Sequence, residues 1–314
     1  MTNLAFIFPG QASQFVGMAS DLYSTRTEVK ELFSKANDVL GFDLATICFQ
    51  GPEERLRETD VTQPAVFVHS VAVLLLLAKE GIFPSVVAGH SLGEYSALVA
   101  AEALEFEEAL ELVRERSRSM LQAGFSNPGA MAAVIGLDTF EVNRLCEISS
   151  DRGVVVAANF NAPGQTVISG ESDAVRYVGE LCRKSGAKRV VDLLVSGAFH
   201  SPLMADAADR MKPLVADVNW LKPSIPIITN VSATKVQESD TLSRDLITQI
   251  THSVRWTESM ENLVSSGVDL IVEVGPGQVL KGLMRRIARD AKVTCAGTVE
   301  EITNLVASVK GDDI

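Results

Sequence analysis

Apolar positions along the 314-residue chain follow two rhythms. Short, nearly unbroken runs such as Leu4-Ala5-Phe6-Ile7-Phe8, Val86-Val87-Ala88, Ile225–Ile228 and Leu270–Val274 read as strands buried on both faces. Longer segments repeat apolar side chains every three or four residues and predict helices over Thr27–Leu40, Pro64–Lys79, Tyr95–Ala101 and Phe106–Gln122. Buried strands alternating with helices predict a parallel sheet covered on both faces, an α/β fold.

The rhythm changes at Asn127-Pro128-Gly129. A strand, Ala130–Ile135, leads to a helix over Thr139–Ser149 that Asp138 opens as N-cap. Strands Val154–Asn159 and Thr166–Ser169 follow, joined through Asn161-Ala162-Pro163-Gly164, then a helix over Ser172–Lys184 and a strand over Arg189–Leu194. This βαββαβ order predicts an inserted ferredoxin-like unit over 125–195. The larger unit would then comprise 1–124 and 196–314, resuming with helices near Pro202–Val215, Leu242–Ile250, Trp256–Ser265 and Val279–Arg289.

The formal charge of −12 argues against nucleic acid, which needs a basic footprint, and against anionic membrane surfaces. Cys48, Cys146, Cys182 and Cys295 form no Cys-x-x-Cys pair and no metal spacing with histidine, so they read as buried thiols of a reducing compartment. Met1–Gly10 has no basic n-region, and the most apolar segment, Ala65–Ala78, is too short to span a bilayer. The expectation is a cytoplasmic protein.

Val86–Ala88 runs into Gly89-His90-Ser91-Leu92-Gly93, and a helical segment leaves it. Strand, Gly-x-Ser-x-Gly and helix make a nucleophile elbow. Such a turn lifts the Ser91 hydroxyl to the end of the sheet and aims backbone N–H groups, Leu92's among them, at an oxygen that becomes anionic under attack. A serine hydroxyl needs a neighbouring base. Of four histidines, His69 lies in an apolar helix as a core residue, and His90 points away from its neighbour Ser91. His252 lies in a polar turn. His200 lies at the seam between the inserted unit and the next helix, which favours it over His252. As an ordinary imidazole it would titrate near pH 6.5. No acid announces itself, since Asp192 sits in a strand eight residues before His200. A Ser–His pair oriented by a carbonyl is chemically adequate. Arg116 is one of three arginines, with Arg114 and Arg118, on one helix.

Six segments occur in order: Phe8-Pro9-Gly10-Gln11, Thr62-Gln63-Pro64-Ala65, Gly89-His90-Ser91-Leu92-Gly93-Glu94, Arg116-Ser117-Arg118-Ser119-Met120, Gly197-Ala198-Phe199-His200-Ser201 and Glu273-Val274-Gly275-Pro276-Gly277. Together they resemble the malonyl-CoA:acyl-carrier-protein transacylase family of bacterial-type fatty acid synthesis. The resemblance runs to about Arg289, and residues from about Val293 add little to it.

The resemblance implies an α/β-hydrolase-like large domain carrying a ferredoxin-like small one. It implies Ser91 as nucleophile, His200 as general base, and an oxyanion hole from the backbone N–H groups of Gln11 and Leu92. The Gln249 carbonyl would orient His200, while its side chain could equally face solvent. Arg116 would hold the free carboxylate of the malonyl group in bidentate fashion. Met120, one turn on, would wall the acyl pocket, and Phe199 would crowd a methyl branch. Gln63 and Asn159 would touch the pocket, although a helix cap and a strand-end hydrogen bonder explain them equally well. No metal or bound cofactor is implied. Malonyl-CoA is a substrate, an acyl carrier protein is the transient partner, and the protein is expected to be a monomer. Such carrier proteins are acidic, so a basic patch must receive them; Arg183, Lys184, Lys188, Arg189, Lys281, Arg285 and Arg286 are the candidates. A serine hydrolase, a polyketide acyltransferase and a non-catalytic acyl-binding protein are the competing readings.

Overall fold

The computed structural model describes residues 2–311. Its ten strands are β1 (Leu4–Phe8), β2 (Val86–Gly89), β3 (Ala130–Ile135), β4 (Val155–Ala162), β5 (Gln165–Gly170), β6 (Arg189–Asp192), β7 (Ile227–Ile228), β8 (Lys235–Val236), β9 (Leu270–Val274) and β10 (Val293–Ala296). They form a six-stranded sheet in the order β10-β9-β1-β2-β7-β8 and a four-stranded sheet in the order β4-β5-β3-β6. In the larger sheet β10, β9, β1, β2 and β7 run parallel and β8 closes one edge antiparallel. The smaller sheet is antiparallel throughout.

The unbroken apolar runs follow from burial on two sides. Leu4, Phe6 and Phe8 of β1 face one core with Val66 and Phe67 of helix Thr59–Lys79. Ala5 and Ile7 face a second core with Trp256, Met260 and Leu283. With both faces covered, no position in β1 can be polar at low cost. In the smaller sheet the alternation separates two faces. Ala132 and Val134 pack on helices Thr139–Ile148 and Ser172–Lys184 through Val142, Leu145, Val175 and Val178. Met131, Ala133 and Val167 point the other way, into a cleft against the larger unit.

The two units are tied at that cleft. Phe160 N–H donates to the Val254 carbonyl at 2.9 Å and Val254 N–H to the Ala158 carbonyl at 2.9 Å. Arg286 reaches from helix Val279–Ile287 to Gln165 Oε1 and the Pro163 carbonyl, both at 2.8 Å.

Several sequence expectations need correction. The helix predicted from Pro64 begins at Thr59, with Pro64 inside it. At 21 residues and a mean hydropathy of 1.9 over its most apolar window, it is long and apolar enough to cross a bilayer, so the length argument against a span fails. That window is 83% buried against the sheet and neighbouring helices, as a core helix is. The helix predicted to end at Gln122 runs to Ser126, two residues into the range assigned to the inserted unit. β4 continues through Asn161 and Ala162, leaving only Pro163-Gly164 as the turn. β6 stops at Asp192. The stretch after Val293 contributes an edge strand, β10, and helix Val299–Gly311, which buries Ile302 and Leu305. All four cysteines are buried and unpaired, as expected.

Candidate active site

β2 enters a turn that only glycine allows on both sides. A Cβ on Gly89 would overlap the Gly93 backbone, and one on Gly93 would overlap the Phe8 carbonyl. Helix Gly93–Ala100 can therefore start directly against β1 and β2. Between the glycines Ser91 takes a φ of +51°, which turns its hydroxyl outward at the carboxyl end of the parallel sheet. Gln11 lies beside it in the turn after β1. Among the described residues, neither the Gln11 nor the Leu92 backbone N–H donates to another backbone group, and both residues line the cleft.

His200 follows the buried Ala198-Phe199 pair at a φ of +58°. Its Nε2 lies 2.8 Å from Ser91 Oγ, and its Nδ1 lies 2.7 Å from the Gln249 carbonyl oxygen. A carbonyl only accepts, so Nδ1 carries the proton and Nε2 presents its lone pair to the serine hydroxyl. Burial, then the nearby Arg116 cation, pushes the imidazole down to about 3. His200 therefore stays neutral far below the 6.5 of an ordinary imidazole, which corrects the expectation from sequence. The group facing His200 Nδ1 is a backbone oxygen and not a carboxylate, and Asp192 is exposed on β6. The other histidines are engaged elsewhere: His69 Nε2 with the Gly297 carbonyl, His90 Nε2 with Asn161 Oδ1, and His252 in an exposed turn with Thr248 and Thr251.

Arg116 sits on the inward face of helix Phe106–Ser126 and is 1% exposed. Arg114 and Arg118 lie on its outer side, both against Glu115. Arg116 Nη1 donates to Gln63 Oε1 at 2.7 Å, and Nη2 donates to Gln249 Oε1 at 2.8 Å and to Ser91 Oγ at 3.0 Å. The guanidinium carbon is 5.6 Å from the centre of the Tyr95 ring. Among the described residues Arg116 has no ion-pair partner, and its Nε has no hydrogen-bond partner. The nearby Glu94 carboxylate accepts instead from Gln249 Nε2 at 2.9 Å and Asn230 N–H at 3.1 Å, and burial raises it to about 7. The cation is thus held by neutral amide oxygens and a ring. A buried charge left that way is costly until an anion joins it.

All the sequence-predicted site residues except Gln249 line one cleft of about 290 Å³ between the two units. Gln249 stands behind it, fully buried, which overturns the solvent-facing alternative. Gln63 lies inside helix Thr59–Lys79 rather than capping it. Its Nε2 is 3.8 Å from Met120 Sδ. Asn159 lies within β4 at a register shift rather than at a strand end. Met120 and Phe199 are buried in the wall. Leu280 and Leu283 close the cleft opposite the small sheet. Two basic candidates are engaged within the chain: Arg183 pairs with Glu180, and Arg286 holds the β4–β5 turn. Lys184, Lys188, Arg189 and Arg285 are exposed.

Sequence reasoning missed Glu94, Tyr95, Asn161 and Asn230. Glu94 carried a signal, being a lone carboxylate in an otherwise apolar helix turn. Asn230, alone after a short strand, carried none.

The acyl transferase domain family matches residues 5–306, so the likeness extends past Arg289. The malonyl CoA-acyl carrier protein transacylase of Bacillus subtilis (strain 168) is 40% identical over 314 residues, covering 100% of this chain and 99% of its own. A solved malonyl-transacylase, in complex with its type II PKS acyl-carrier protein, is 39% identical with a TM-score of 0.95, covering 98% of this chain and 100% of its own. The acyl carrier protein S-malonyltransferase of Vibrio cholerae, also solved, is 40% identical with a TM-score of 0.93, covering 97% of this chain and 100% of its own. The chain belongs to the acyl transferase family of the malonyl CoA-acyl carrier protein transacylases.

Proposed function

We propose that this chain moves the malonyl group of malonyl-CoA to the phosphopantetheine thiol of an acyl carrier protein, supplying fatty acid chain elongation. One observation carries the reading above all others. A buried guanidinium with no carboxylate partner points at the same hydroxyl that an imidazole lone pair meets. Malonyl thioesters bear a reactive carbonyl and a free carboxylate on either side of a single methylene, and this site offers a group for each.

Ser91 Oγ attacks the thioester carbon while His200 Nε2 takes its proton. The Gln249 carbonyl holds the resulting imidazolium through Nδ1–H. The backbone N–H groups of Gln11 and Leu92 receive the oxyanion. The tetrahedral intermediate collapses, the C–S bond breaks, and coenzyme A leaves with the proton from His200. Malonyl-Ser91 remains. The carrier's thiol then attacks, His200 takes its proton, and the steps run in reverse. Each half-reaction is an acyl transfer between sulfur and oxygen, so the chain's own residues suffice and the cycle is ping-pong.

Arg116 selects the acyl group. With malonyl bound, the cation meets its anion; with acetyl, it stays buried and unpaired, which is rejection as much as preference. Gln63 and Gln249 hold the guanidinium, Met120 and Phe199 bound the acyl pocket, and Asn159 faces it from the small sheet. We read the larger unit as α/β-hydrolase-like. The smaller sheet, whose strands lie in the order second, third, first, fourth, we read as ferredoxin-like. Exposed Lys184, Lys188, Arg189 and Arg285 are the surface for an acidic carrier, and the protein works as a cytoplasmic monomer.

Intact-protein mass spectrometry after malonyl-CoA tests the reading. One malonyl group should add to the wild type and none to Ser91→Ala, and carrier protein should discharge it faster than water. Labelling that survives in Ser91→Ala moves the nucleophile elsewhere, and discharge by water alone makes the protein a hydrolase.

A further inference from the structure

The turn that bears Ser91 is held from outside by one side chain. β7 runs parallel to β2, with Ile227 beside Val87 and Ile228 beside Ala88, so the residues after β7 run beside the residues after β2. Asn230, 1% exposed, lies there. Its Oδ1 accepts the Ser91 N–H at 2.7 Å, and its Nδ2 donates to the Gly89 carbonyl at 2.6 Å. Its own backbone is fixed at both ends: the N–H donates to Glu94 Oε2 at 3.1 Å, and the carbonyl accepts the Arg255 N–H at 2.9 Å. The amide therefore arrives pre-set, one acceptor and one donor facing one donor and one acceptor of the elbow.

Ser91 adopts a φ of +51°, a region that residues with a Cβ seldom occupy. Something must over-determine that conformation, and the Asn230 clamp spans the residues that flank and include it. The clamp also takes up the Ser91 N–H, whereas the Gln11 and Leu92 N–H groups have no backbone partner among the described residues.

We propose that Asn230 is a positioning residue for acyl transfer: by bridging Gly89 O and Ser91 N–H it keeps the elbow in the left-handed conformation that sets Ser91 Oγ against His200. The proposal rests on the reading of Ser91 as nucleophile. No other uncharged side chain of this size carries a donor and an acceptor on two separate atoms, so the role does not pass to Ser, Thr or ionised Asp.

The test is pre-steady-state release of coenzyme A from malonyl-CoA by Asn230→Asp and Asn230→Ala, with Ser91→Ala in parallel. Asp, read at pH 8 where its carboxyl is ionised, keeps the acceptor and loses the donor; Ala loses both. The burst amplitude counts competent molecules, whereas the burst rate reports how well each is aligned. A misplaced nucleophile should slow the burst by about tenfold to a hundredfold at saturating malonyl-CoA. The amplitude per folded molecule and the malonyl-to-acetyl ratio should stay near wild type. The two variants threaten folding for opposite reasons, a buried charge and a cavity, so either one that folds decides. A wild-type burst rate in it, or a loss confined to amplitude, would overturn the proposal, as would a collapse of the acyl ratio. Release that persists in Ser91→Ala would instead remove the reading beneath it.

Discussion

The Arg116 guanidinium and the His200 imidazole converge on one oxygen: Ser91 Oγ lies 3.0 Å from Arg116 Nη2 and 2.8 Å from His200 Nε2. A fixed cation next to a base has a measurable cost. It disfavours the imidazolium, adding to the effect of burial, and the two hold His200 at about 3 in the free protein.

The pH dependence follows. kcat/KM reports the free enzyme, so it should stay flat from pH 8 to about pH 5 rather than fall through 6.5. In Arg116→Gln the cation is gone, and the acid limb should move upward. An acid limb at 6.5 in the wild type that does not move in Arg116→Gln would show that His200 is not the titrating base. Stability behaves differently from rate. His69 and His200 are held at about 4 and about 3 by burial, while the unfolded chain takes up protons near 6.5. Their contribution is complete above pH 6.5 and is lost as pH falls toward 4. Glu94 and Glu273, raised to about 7 by burial, act with the opposite sign as pH falls from 7, so the histidine contribution is read as the difference in the pH dependence of Tm between wild type and His69→Gln.

Substitution of Arg116 should separate two acyl groups. The malonyl carboxylate gains charge-assisted hydrogen bonds in a buried site, where removing one partner costs about 2–5 kcal/mol. Arg116→Ala should lower kcat/KM for malonyl-CoA by about a hundredfold or more and leave acetyl-CoA within about tenfold. Arg116→Lys keeps the charge but not the planar fork, and should fall between. Equal losses for both acyl groups would take the carboxylate away from Arg116.

Gln249 performs two tasks with different atoms. Its carbonyl meets His200 Nδ1, and its side-chain amide accepts from Arg116 while donating to Glu94 and to the Ser91 carbonyl. Gln249→Leu keeps the first and deletes the second. Acylation by malonyl-CoA should drop by about tenfold through a looser guanidinium, with the pH profile of the base retained. A change in the profile would place the side chain, not only the carbonyl, in control of the imidazole.

The elbow was legible because it is local: a buried strand, two close-approach glycines and a helix lie within sixteen residues of sequence. The four strands of the smaller sheet were legible in order because each is a short, largely apolar run bounded by turn residues or a helix. Helices Ser20–Thr25, Leu44–Gln50 and Glu53–Arg57 were not, being too short to show a period. Gln249 was placed by resemblance, and nothing local says its amide turns inward. Arg116 looks like its neighbours Arg114 and Arg118 until the helix is seated, because which face is inward depends on packing. Asn230 meets Ser91 across 139 residues, through a strand pairing that no pattern around Asn230 encodes.

The glycines permit a last contrast within one chain. Gly93 has an ordinary φ, yet a Cβ there would strike the Phe8 carbonyl, and backbone in a central strand cannot retreat. Gly93→Ala should destabilise by about 3 kcal/mol or more, enough to threaten folding. Gly282 lies in the exposed part of helix Val279–Ile287, and a Cβ there meets nothing within 4 Å. Gly282→Ala removes backbone freedom from the unfolded chain without crowding the fold, and should stabilise by about 0.5–1 kcal/mol. Denaturant midpoints for the two proteins should thus move in opposite directions from wild type. If Gly93→Ala instead unfolds at the wild-type midpoint, helix Gly93–Ala100 does not pack directly on β1, and the elbow drawn from that contact loses its footing.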